Sequence, residues 1–153
     1  MGHDEAALLK ATDIKTEQGI RFFDLTKAVV KNEGSARKVP VPSVIEPMLD
    51  RWLEGLTAER LFTFPVNSDG KARNAASKKS MYYIRKITSD EGLVTHSFRH
   101  SFKDVCKNAE ISQDLHDFIT GHSGGDSASN YGEGHSLIRR KEALDKIAHP
   151  YLQ

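Results

Sequence analysis

Helical spacing of apolar residues fills most of this sequence beyond residue 43, which leaves room for only a small sheet. Ile45, Met48, Leu49, Trp52 and Leu53 fall at i, i+3, i+4, i+7 and i+8, an amphipathic stripe. Ser43 with Glu46 makes a capping-box pattern ahead of it, and Pro47 falls near the first turn, where proline is tolerated. A loop carrying Pro65, Asn67, Asp69 and Gly70 leads to a basic helix expected over residues 74–88. Thr95 is placed to cap a helix whose Phe98, Phe102, Val105, Cys106 and Ala109 form one apolar face. Ser112 opens another, with Leu115, Phe118 and Ile119 inward and an end near Gly121. A short polar segment, residues 126–130, precedes Tyr131. Ser136 then caps a last helix with Leu137, Leu144, Ile147 and Ala148 inward, and Pro150 ends it.

The amino-terminal third reads differently. Residues 4–12 have helical character from Ala6, Ala7, Leu8 and Leu9. Residues 20–25 and 28–30 look like strands, and residues 37–42 look like a third, edge-like one because of Pro40 and Pro42. Asn32 to Ser35 is turn material. The expected fold is mainly α with a small three-stranded antiparallel β-sheet, in one domain spanning residues 1–153.

Hydrophobic residues at 38% and charged ones at 28% describe a soluble globular chain. No apolar run approaches the roughly 20 residues of a membrane span, and no secretory signal is present. The single Cys106 suits a reducing compartment, so a cytoplasmic location is expected. Net charge is only +1, yet its distribution is uneven. Residues 71–107 carry +6, against −2 before them and −3 after them. That basic middle is either a phosphate-binding face, with Lys78, Lys79, Arg85, Lys86 and Lys103 as its DNA-binding candidates, or a solvated helix surface.

The densest polar chemistry is His96-Ser97-Phe98-Arg99-His100, then Gly121-His122, then Tyr131. His96 and Arg99 share a helix face beside the Phe98/Phe102 stripe. Near the base of a buried helix a guanidinium needs an anion, either a phosphate or a structural carboxylate. Taken singly, His122 reads as a capping-region residue, Tyr131 as a half-exposed tyrosine and Lys31 as a solvated turn residue.

Their joint spacing says more. His-x-x-Arg, then Gly-His with 23 residues from Arg99 to His122, then a tyrosine nine residues on, resembles the active-site signature of phage-type integrases, the tyrosine recombinases. Lys31, ahead of the strand at residues 37–42, resembles the family's hairpin lysine, and Glu5 with Asp13-Ile14 resembles its opening helix and first strand. The resemblance covers essentially the whole chain and implies the DNA breaking-rejoining catalytic fold. It implies Tyr131 as the nucleophile that forms a 3′-phosphotyrosyl link, with Arg99 and His122 on the non-bridging oxygens. Lys31 would be general acid to the 5′-hydroxyl and His96 a proton acceptor near the tyrosine. The phosphotyrosine conserves the phosphodiester energy, so neither ATP, metal nor other cofactor is implied. The implied partners are a DNA attachment site and further copies of the chain assembled on it, with no membrane.

One family feature is missing. The first catalytic arginine would fall at Gly2, behind only Met1, and Met1-Gly2 reads as an engineered start. The arginine and the amino-terminal DNA-clamping domain are therefore expected to be absent, and the polypeptide to be weak or inactive. Thr120 stands where the family prefers an apolar residue. Two other readings compete: a non-catalytic helix-turn-helix DNA binder built from residues 95–109 and 112–120, and a metal hydrolase using His96, His100, His116 and His122. Acidic Asp114 and Asp117 on the second helix weigh against the first, and Arg99 beside the metal against the second.

Overall fold

The computed structural model of the chain describes residues 2–26, 36–121 and 135–148. About half of them are helical, and the strands form one three-stranded antiparallel sheet. In chain order the elements are α1 (His3–Ala7), β1 (Ile14–Glu17), β2 (Ile20–Asp24), β3 (Lys38–Pro40), α2 (Glu46–Glu54), α3 (Arg73–Ile87), α4 (Ser97–Asn108), α5 (Gln113–Thr120) and α6 (Leu137–Asp145).

The sheet includes β1, which propensity alone does not show but which begins at Ile14, where Asp13-Ile14 leads a first strand to be expected. Its order is β1-β2-β3, so the stretch at Ile20 is central and the first strand lies before it. Glu17 pairs with Ile20 across a two-residue hairpin, with φ of 53° at Gln18 and 76° at Gly19. That left-handed pair is what a tight hairpin requires, and glycine supplies one half of it without steric cost. The strand expected at residues 28–30, and the turn after it, lie outside the described residues. Among the described residues β3 pairs only with β2, the edge position expected for residues 37–42. Pairing continues past β3 at both ends, through Leu25 N to Arg37 O and Val41 N to Arg21 O, both 2.9 Å. The edge is covered by α6, whose Arg140 donates to Lys38 O and whose Lys141 donates to Val41 O.

The first helix is shorter than its propensity predicts. Beyond Ala7 the backbone is claimed by the segment at residues 59–61: Leu61 N donates to Leu9 O at 2.8 Å and Ala11 N to Glu59 O at 3.0 Å. Tertiary pairing overrides local preference there. The capping box at Ser43 does not form either. Ser43 opens a 3-10 turn, and its amide and hydroxyl both donate to Asp145 on α6, while Glu46 accepts from Lys141. Ser136 does cap α6, accepting from Arg139 N at 3.2 Å.

The core lies between the sheet and helices α4, α5 and α6. Leu25, Val41 and Cys106 are almost fully buried, joined by Phe23, Val39, Ile111, Leu115, Ile119, Leu144 and Ile147. Burying one such side chain stabilises the fold by about 1.5–3 kcal/mol. Two expected stripes are narrower than their periodicity. On α2, Leu49 and Leu53 pack on the core, but Met48 and Trp52 are exposed. On α4, Phe102, Val105 and Cys106 face inward with Ala109 just beyond its end, whereas Phe98 is 66% exposed. Ala148, expected inward, is exposed.

Candidate functional site

The start of α4 opens onto a cleft of about 630 Å³. Its walls are mostly apolar: Phe23, Val39 and Pro40 from the sheet, Phe98 and Phe102 from α4, Ile119 and Leu144 from the carboxyl-terminal helices. Gly2 and His3 at the chain's beginning close one side. Set into these walls are Thr95, His96 and Arg99. The helix expected to be capped by Thr95 starts one residue later than that reading places it. His96 is the N-cap without a side-chain cap bond, Ser97 Oγ accepts from Val94 N at 3.0 Å, and the buried Thr95 hydroxyl has no hydrogen-bond partner among the described residues. His96 is exposed, with its ring edge-to-face against His100 at 5.0 Å between centroids. Arg99 is half-buried, and its Nη2 donates to the carbonyl of Thr120 at 3.4 Å.

This contact brings two parts of the sequence signature together. Thr120 ends α5, and Gly121 follows as its left-handed C-cap with φ of 69°. Arg99 therefore sits against the residue that precedes the Gly121-His122 pair. His122, Tyr131 and Lys31 lie outside the described residues. Chemically, the described part of the cleft offers a guanidinium on an apolar wall with an imidazole one helical turn away. Poor solvation strengthens the attraction of such a cation for an anion.

Comparison with protein-family models, curated proteins and solved structures finds no match.

The largest omission from the sequence reading is Arg37. Its side chain is 2% exposed, and all three of its nitrogens donate. Nε bonds Ile119 O at 2.9 Å, Nη2 bonds Thr120 O at 3.2 Å, and Nη1 and Nη2 reach Glu5 at 3.2 and 3.0 Å. Burial would raise the Glu5 carboxyl, but the bonds from Arg37 and from Gly2 N outweigh it and leave it below its ordinary value. A signal was present. Arg37 shares the inward register of a strand with Val39 and Val41, and an arginine on that side needs a buried anion.

The basic candidates divide by role. On α3, Lys78, Lys79 and Lys86 are exposed, and Lys79 and Lys86 lie over the rings of Tyr82 and Tyr83 at 4.5–5.9 Å. Arg85 is engaged within the protein, donating to Asp90 O at 2.9 Å and Leu93 O at 3.1 Å beyond its own helix end. Lys103 is exposed one turn along α4 from Arg99, which extends the line of positive charge away from the cleft.

The competing readings find less. Leu115, His116, Ile119 and Thr120 of α5 are buried, and the face it leaves to solvent carries Gln113, Asp114 and Asp117, with no lysine or arginine to meet a DNA phosphate. Among the described residues no three His, Cys, Asp or Glu side chains are grouped to hold a metal. His116 is buried with Nδ1 2.8 Å from Asp117. No described helix is long and apolar enough to cross a membrane.

Proposed function

We propose that this chain is the catalytic domain of a phage-type tyrosine recombinase, which breaks and rejoins DNA at a specific site through Tyr131. The observation that carries the proposal is the joint spacing of His96, Arg99, Gly121-His122 and Tyr131, together with the contact between Arg99 and the carbonyl of Thr120. In this reading the Tyr131 oxygen attacks the scissile phosphorus, and His96 receives the phenolic proton. The bond from phosphorus to the 5′-oxygen breaks, and Lys31 protonates that oxygen. Arg99 and His122 hold the non-bridging oxygens as charge builds on them. The reverse attack by a 5′-hydroxyl rejoins a strand without ATP. Exposed Lys78, Lys79, Lys86 and Lys103 supply the salt-dependent grip on the phosphate backbone.

The test is a suicide-substrate assay on nicked duplexes enriched by selection for binding to this chain. It uses the chain itself and a version extended upstream by an arginine-bearing segment. A covalent protein–DNA band that disappears in Tyr131→Phe and falls by roughly 10²–10³-fold in Arg99→Ala is the expected outcome. Bound DNA without a band from either protein would refute the chemistry.

A further inference from the structure

The last turn of α5 is held by two arginines that come from different parts of the chain. Helix ends leave carbonyls without intrahelical partners, and these carry the negative end of the helix dipole. Arg37 takes Ile119 O and Thr120 O, while Arg99 takes Thr120 O as well. Two guanidiniums sharing one oxygen repel each other unless an anion stands beside them. Glu5, bonded to both terminal nitrogens of Arg37, is that anion. Gly121 completes the arrangement. A Cβ there would lie 2.5 Å from Nη1 and 2.7 Å from Cζ of Arg37, so the guanidinium packs flat on a position only glycine leaves open.

We propose that Arg37 and Glu5 form a positioning pair that fixes where the Arg99 guanidinium stands in the cleft. Arg37 is too deeply buried to meet a substrate, and it is not among the residues lining the cleft. It acts through the carbonyl it shares with Arg99. The pair also ties α1 and the residue before β3 to the end of α5, so three separate segments set the place of one cation. The consequence for DNA cleavage rests on the recombinase reading; the placement of Arg99 does not.

Side-chain ¹⁵N relaxation of the Arg99 Nε–Hε group in the full 153-residue chain tests the pair. Arg99→Ala assigns the resonance. Arg37→Lys keeps the charge but cannot span two carbonyls and a carboxylate, and Glu5→Gln keeps the shape but removes the anion. In the unchanged chain the Arg99 group is expected near the order parameter of rigid backbone, about 0.85, falling below about 0.6 in either variant. An Arg99 order parameter unchanged in folded Arg37→Lys and Glu5→Gln overturns the proposal, since a purely structural pair would lower the melting temperature and leave Arg99 alone. Should Arg37→Lys fail to fold, Glu5→Gln decides by the same readout. Covalent-complex yield on the nicked duplex is expected to fall at least tenfold in both variants, by the usual cost of misplacing a catalytic group. Bound DNA without covalent product from either the chain or its arginine-extended version, but with Arg99 loosened in the variants, refutes the recombinase reading and leaves the positioning pair standing.

Discussion

Asp24 ends β2 with its side chain 9% exposed, and its carboxyl is held well below the ordinary range. Burial by itself would raise its pKa; hydrogen bonds from Lys15 and from the hydroxyl and amide of Thr26 more than reverse that and lower it from 3.8 to about 2. A carboxyl whose folded pKa is depressed contributes stability above its unfolded pKa and loses it as pH falls toward the folded one. At about 1.4 kcal/mol per pKa unit, Asp24 contributes about 2 kcal/mol at neutral pH, lost between roughly pH 5 and pH 2. Asp24→Asn keeps the shape and removes the titration. Urea unfolding followed by far-ultraviolet circular dichroism, repeated from pH 7 to pH 2, measures both chains. Glu5 and Asp145 are shifted downward too, so both proteins weaken in acid, and the difference between them isolates Asp24. The stability gap is expected to close by about 2 kcal/mol as the pH drops. A gap of the same size at pH 2.5 and pH 6 would show that Asp24 titrates normally and that the bonds at the end of β2 hold no preference for its charge.

Leu25→Ala empties a site 1% exposed between the sheet and the helices and should cost about 2–5 kcal/mol, read from the shift in urea midpoint at constant slope. Cys106 is 1% exposed with its thiol pushed up to about 11 by burial, so Ellman's reagent at pH 8 should find no reactive thiol in the native chain and one in urea. Lys141 donates to Val41 O at 2.6 Å, Ser43 Oγ at 2.8 Å and Glu46 at 2.9 Å. Lys141→Met, which keeps the stem, should lower stability by about 2 kcal/mol, and a melting curve unchanged from wild type would show the cluster to be inert.

How much of this structure the sequence discloses depends on how far each residue's environment is local. Helices α2 to α6 are legible because apolar spacing and end signals such as Ser136 and Gly121 act within a few residues. Strand β1 is hard to see, since only Ile14 of Ile14–Glu17 is not exposed and an edge strand with one solvated face shows almost no alternation. Periodicity also says which side of a helix is apolar without saying how much of its length is covered, which is why Phe98 belongs to the expected stripe and stands 66% exposed. In the cleft, the spacing of His96 and Arg99 foretells that they share a wall, but the anchoring of Arg99 on Thr120 involves a backbone oxygen 21 residues away that leaves no mark in composition. Arg37 was legible only through its register.

The Arg37–Glu5 pair is difficult to account for as a source of stability. Taking both charges out of water costs several kcal/mol per ion, and apolar pairs of similar volume often do as well or better in such places. What the ions offer that an apolar pair lacks is direction, since a guanidinium bonded to two named carbonyls and one carboxylate has a single place to be. The two explanations diverge in a double-mutant cycle. Arg37→Met alone leaves Glu5 buried without its partner, and Glu5→Leu alone leaves Arg37 so; each should cost about 3–5 kcal/mol. The double variant removes both stranded charges and should lie within about 2 kcal/mol of wild type, the residue being the carbonyl of Ile119 left without Arg37. A double variant as unstable as the sum of the singles would mean zero coupling, so that Arg37 and Glu5 stabilise the fold independently and do not act as a pair.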